Sequence, residues 1–133
     1  MRQYARTQTA NLLRRLALQV NRAARDGGAD SVHDLRVVIR RLSRCLRVFS
    51  QFYPPHSWKR IRRRLSGLMA AAAAVRDRDI AVELLGQAGV SPQAAVVVQL
   101  VEQRREAGRR LLLEIRRWKS RGFSRKWRSR LEL

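Results

Sequence analysis

His33, Arg36, Arg40, Arg44 and Arg47 recur at steps of three and four residues, the spacing that stacks side chains on one face of an α-helix. With His33 at zero and ~100° per residue, the four arginines fall at roughly 300°, 340°, 20° and 320°. Arg41, at roughly 80°, flanks the stripe. On the far side, between roughly 120° and 240°, lie Leu35, Val38, Ile39, Leu42, Cys45, Leu46 and Phe49, an apolar face of the width a core-facing helix needs. Like charges at i, i+4 destabilise a helix by a few tenths of a kcal/mol per pair, so stacked guanidiniums call for an extended anion. Arginine suits a phosphate in particular, because its planar fork bonds two oxygens at once and keeps its charge at any working pH.

Other cations extend this chemistry. Lys59 and Arg63 lie together on the polar side of the next helical stretch, whereas Arg60, Arg62 and Arg64 scatter around it and read as solvated. Arg104 falls among apolar positions, near the angle of Leu111 and Ile115, and an inward arginine needs an anion or a carboxylate partner. Arg105 and Arg109 are grouped with it as anion contacts. Arg76 reads either as an anion contact or as the partner of Asp77, whose expected role is a structural ion pair. His33 either caps its own helix, bonds a neighbouring carboxylate or touches the anion directly. Arg125, Lys126, Arg128 and Arg130 read as a surface patch.

The whole composition agrees with that reading. Thirty Lys and Arg against ten Asp and Glu leave a formal charge of +20 on 133 residues, far more than solubility requires. A polyanion is the expected partner: nucleic acid, an anionic membrane surface or a phosphate polymer. Only Lys59, Lys119 and Lys126 are lysines, which favours phosphate recognition over simple solvation. The one cysteine, Cys45, falls on an apolar face and is expected to be a buried small hydrophobe. Disulfide frameworks and metal-ligand spacings are absent from the sequence, so neither a metal nor a cofactor is expected. No apolar run approaches the ~20 residues of a membrane span, and a cytoplasmic location is the expectation.

The elements that must position these residues follow from helical periodicity. A first helix is predicted over about 4–25, with Leu12, Leu13, Leu16 and Val20 in phase, ended by Asp26-Gly27-Gly28. The basic helix runs over about 31–52, capped by Asp30 or Ser31 and stopped by Pro54-Pro55. A third is predicted over about 57–76 from a Ser57 cap, followed by a short helix through Leu85. A long helix over about 92–121 starts at Ser91-Pro92, and Gly122 separates it from a short basic terminal helix. The five alanines Ala70 to Ala74 allow another helix to approach closely. Trp58 and Trp118 sit at core spacing, while Trp127 is open to packing or to base stacking. No alternating strand pattern competes, so the expected fold is all-α, an antiparallel helical bundle forming one domain over 1–133.

HDLRVVIRRLSRCLRVF, from His33 to Phe49, followed by VRDRDIAVELL, from Val75 to Leu85, resembles the CHAD family, the conserved-histidine α-helical domains. His33, Arg36, Arg40, Arg41, Arg47 and Phe49 match the first signature in register, and Arg76, Asp77 and Ile80 the second. A third, weaker signature resembles Ser120 to Phe123. The resemblance implies a helical bundle that binds inorganic polyphosphate in a basic channel, as members of the family do, some of them attached to triphosphate-processing domains. It departs from the family pattern where Ser43 stands in place of an arginine and Arg44 in place of a small residue. Ser66 likewise replaces a frequent basic residue. Two repeats are typical of the family domain and this chain shows one, which leads to the expectation of a homodimer that rebuilds the two-repeat domain around a two-fold axis.

Two other classes compete. A nucleic-acid binder would use the same charge on backbone phosphates, without any recognisable helix-turn-helix, zinc finger or aromatic platform. A phosphate-processing enzyme would need metal-binding carboxylates and a positioned base, for which Asp77 and Asp79, two isolated acids beside arginines, and Glu102, Glu106 and Glu114, which read as salt-bridging residues on a helix, are poor material. The expected reading is a non-enzymatic polyphosphate binder, associated in the cell with polyphosphate granules.

Overall fold

A computed structural model describes all residues, 1–133, and its regular structure is entirely helical. Helix α1 covers Arg2–Arg25, α2 Ala29–Val48, α3 Pro55–Gln87, α4 Ala95–Ser120 and α5 Phe123–Arg130, with a single 3₁₀ turn at Ser50–Phe52 between α2 and α3. Consecutive long helices pack as neighbours, α1 on α2, α2 on α3 and α3 on α4, while α4 and α5 return against α1 and close the bundle. The all-α bundle expected from periodicity is the fold observed.

The in-phase apolar residues do what their spacing requires. Leu13, Leu16 and Val20 of α1, Leu35, Ile39, Leu42 and Leu46 of α2, Ile61, Leu65 and Leu68 of α3, and Leu111, Ile115 and Trp118 of α4 join one buried cluster. Ala72 and Val75 belong to the same cluster, so part of the alanine run brings helices together as its small side chains permit. α5 is held by an aromatic clamp in which the Trp118, Phe123 and Trp127 rings meet edge to face at centroid distances of 5.1–5.3 Å. Such contacts are worth ~0.5–1.5 kcal/mol per pair beyond area burial. Trp127 is therefore a packing residue.

Boundaries differ where local chemistry is stronger than the sequence signal. α3 runs through Arg76-Asp77-Arg78-Asp79 without a break, giving one helix of 33 residues where two were expected. A charged quartet does not stop a helix that lacks proline, and Arg78 donates to the Ala74 carbonyl one turn back. α2 begins at Ala29, ahead of the residues expected to cap it; Gly28 occupies the N-cap, and Asp26 accepts the Gly28 N–H at 3.0 Å to shape the loop. α4 begins at Ala95 because Ser91 to Ala94 form a turn closed by the Ala94 N–H on the Ser91 carbonyl. Between α4 and α5 the chain turns through Gly122 at φ 60°, a left-handed conformation that glycine adopts without Cβ strain.

Cys45 is half-buried rather than wholly so. Its Sγ lies 3.4 Å from the buried Thr9 hydroxyl, which also pairs at 2.6 Å with Tyr53, and Tyr53 in turn donates to the Ala5 carbonyl. This node ties α1 and α2 to the turn that leads into α3. Burial pushes the Cys45 thiol and the Tyr53 hydroxyl above their ordinary values, while the bonds to Thr9 oppose the shift.

Candidate functional site: a basic groove between α2 and α3

Two contacts set the register of α2 against α3. Near one end the Arg62 Nε–H donates to Ser43 Oγ at 3.1 Å. At the other, Arg104 of α4 bonds both Asp79 of α3, at 3.1 Å, and the carbonyl of Gly27 just before α2, at 2.6 Å. The two helices are thus antiparallel, and the polar edges of both open onto the same side.

Between them lies a groove of about 570 Å³. Arg40, Arg44 and Arg47 line it from α2 and Arg62 from α3. Its floor is Ile39, Leu65 and Met69 with the small residues Ser43, Ser66, Ala70 and Ala73, which leave room that longer side chains would fill. No carboxylate lines it. Beyond Arg62 and Ser66 the surface continues into a second hollow of about 510 Å³ bordered by Trp58, Lys59 and Arg63. There Lys59 Nζ stands 5.7 Å from the centre of the Trp58 ring, a cation–π arrangement. Trp58 is accordingly half-buried, packed on the core by one part and facing the basic surface with the other.

Arg40, Arg44 and Arg47 therefore share one hollow, and Lys59 and Arg63 border the adjoining one. Arg62, which its helical angle leaves among the solvated cations, lines the groove from α3 and faces α2. The signal that marks it is the spacing Arg62, Ser66, Ala70 and Ala73, a polar and small-residue stripe at helical period beside the apolar one. The departures Ser43 and Arg44 also resolve geometrically. Ser43 fixes the Arg62 guanidinium from the floor while Arg44 supplies a cation one residue later, and both line the groove. Ser66 replaces a charge with a small polar group shared by the two hollows.

His33 is exposed in α2, beyond the end of the hollow lined by Arg40. Arg36 lies between them, half-buried, with its Nε–H shielded from solvent and unpartnered in the protein. Arg76 is half-buried on α3. The antiparallel register places it near the first turn of α2, at the His33 end of the stripe.

The remaining candidate cations lie outside the groove. Arg41 faces the opposite flank of α2, where with Arg15, Leu12 and Asp34 it lines a small hollow against α1. Arg104 does point inward, but its partner is the Asp79 carboxylate, and Gly108 leaves the space its guanidinium occupies. Arg105 and Arg109 pair with Glu102 and Glu106 on the outer surface of their own helix. Asp77 is exposed, and the structural ion pair expected of it is made by Asp79 two residues later.

Comparison with known protein families matches the CHAD domain over residues 7–132. The chain belongs to the CHAD family. No curated protein and no solved structure matches it. Within this CHAD domain the His33 to Phe49 segment lines the groove directly, whereas the Val75 to Leu85 segment lies beyond the lining residues of α3 and acts through the Asp79–Arg104 contact that helps set the register. The third signature also has a structural role, since Phe123 is part of the aromatic clamp on α5. No helix is long and apolar enough to cross a membrane.

Proposed function

We propose that this CHAD domain binds inorganic polyphosphate along the α2–α3 groove and does not turn it over. The observation that carries the reading is the convergence of Arg40, Arg44, Arg47 and Arg62 on one open trough without a carboxylate. Membership of a family known in general for polyphosphate binding supports it. So does length: the stripe from His33 to Arg47 rises ~21 Å at ~1.5 Å per residue, which suits a linear polymer better than a single phosphate. Each charge-assisted bond contributes ~1.5–3 kcal/mol before desolvation and cation repulsion are subtracted.

A binding role rather than catalysis is supported by the lining itself, whose guanidiniums, hydroxyls and apolar groups supply no carboxylate to hold a metal or accept a proton. The test is a titration with long-chain polyphosphate. Arg40→Ala with Arg44→Ala is expected to weaken binding by at least about tenfold, and Arg128→Ala with Arg130→Ala far less. Equal losses would refute a localised groove. Duplex DNA or RNA competing better than the polymer at physiological salt would turn the assignment to nucleic-acid binding, and phosphate release with added Mg²⁺ would turn it to catalysis.

We also propose a homodimer, with cytoplasmic polyphosphate granules as the place of action. The trough is open on one side, and the tip formed by the end of α3 and the start of α4 exposes Leu84, Val96, Val98 and Val101. A second copy would cover apolar surface at that tip and set its own stripe against the polymer.

A further inference from the structure

On the opposite flank of α3 from the groove, Arg60 and Arg64 face α5 instead of α2. With Arg121, Lys126 and Arg130 they enclose a cleft of about 200 Å³ whose apolar wall is Phe123 and Trp127. Five cations line it and no carboxylate does. Arg64 is half-buried and stacks over Trp118, 5.6 Å from the ring centre.

An assembly of this kind is costly when empty. Burial, then Arg121, and further Arg60 and Arg130, all make the charged form of Arg64 less favourable and push its pKa below the ordinary value. Glu114 opposes them, but its carboxylate is already engaged by the Trp118 indole N–H and by Arg117. Nothing in the lining offsets the repulsion, so a bound anion is the natural counterpart. The size of the cleft narrows the choice. Its volume is less than half that of either hollow of the groove, and the aromatic rings close one side of it, which leaves room among the cations for one or two phosphoryl groups and not for a continuous chain.

We propose that the α3–α5 cleft is a second anion site, separate from the groove, that takes a compact, multiply charged phosphate of the pyrophosphate class. Arg60 and Arg64 hold it from α3, and Arg121, Lys126 and Arg130 from the α4–α5 turn and α5. Occupancy fastens the terminal helix to the bundle by bridging cations that otherwise repel.

The test is equilibrium dialysis of the full chain against radiolabelled pyrophosphate at about 0.15 M salt, where exposed charges are screened beyond ~8 Å, with sulfate and orthophosphate as competitors. One saturable site per chain is expected. Arg64→Gln with Arg121→Gln should weaken it at least about tenfold, whereas the charge-matched Arg14→Gln with Arg116→Gln and the groove variant Arg40→Ala with Arg44→Ala should change it less than about threefold. Long-chain polyphosphate should show the reverse pattern. If the Arg64/Arg121 variant fails to fold, Arg60→Gln with Arg130→Gln carries the same expectation. The proposal is overturned by non-saturable uptake, by equal loss in the charge-matched control, or by loss confined to the groove variant. Failure of the polymer to bind the unaltered chain would remove the groove assignment and leave the pyrophosphate result standing.

Discussion

At the scale of single residues, Arg62 separates a charge count from a site. Its angle placed it among scattered cations, but the bond to Ser43 Oγ fixes its guanidinium over the groove floor. Arg62→Ala should therefore weaken polyphosphate binding roughly tenfold, or about 1.4 kcal/mol, while Arg117→Ala, an equal loss of charge on the outside of α4, should have little effect in the same titration. Cys45 and Tyr53 lead to a pH prediction. Their native pKa values are raised, so the folded chain keeps protons that the unfolded chain releases as pH passes the 9.0 and 10.0 of the ordinary groups. The stabilisation is complete below about pH 9 and is lost as pH climbs through the raised native values. Urea midpoints at pH 7, 9 and 10 should fall at the alkaline end, and Cys45→Ala with Tyr53→Phe should flatten that decline.

At the scale of elements, the groove depends on how α2 and α3 are aligned. Arg104 links three of them, bonding Asp79 of α3 and the Gly27 carbonyl before α2 from its seat on α4. Both side chains of the ion pair are largely shielded, at 27% and 22% exposure. Asp79→Ala should thus destabilise the fold by about 1–3 kcal/mol, since it leaves a shielded guanidinium short of an acceptor. Glu102→Ala breaks a pair exposed by more than 60% on both sides and should cost under about 0.5 kcal/mol. Denaturant melts of the two variants measure the contrast. Both helix periods were legible in the sequence because apolar phase is a local property. The inward angle of Arg104 was legible too, but its partner was not, because Asp79 lies 25 positions away and only packing brings them together.

At the scale of the molecule, thirty cations make affinity a function of salt as well as of shape. The logarithm of the polyphosphate association constant should fall linearly with the logarithm of salt concentration, by analogy with counterion release from nucleic acids. Arg40→Ala with Arg44→Ala should make the slope shallower by roughly one to two units, as two contacts are lost. Assembly follows from the same balance. Two copies carrying +20 each repel, so pairing is expected with the anion bound and weakly or not at all without it. Light scattering with and without polyphosphate reads this directly, and a monomer in both conditions would dismiss the dimer.

The amino-acid sequence alone determined the all-α class, most of the core-facing positions, the arginine stripe on α2 and the membership of a family, all of which rest on residue type and short-range spacing. Tertiary structure decided which cations share a space. It gave Arg62 to the groove, turned Arg41 to the other flank of α2, tied Arg104 to Asp79, and gathered Arg60 and Arg64 with Arg121, Lys126 and Arg130 into a separate cleft. The reason is geometric. A helical angle says which way a side chain leaves its own axis, but the neighbour it meets depends on the register and rotation at which that axis packs.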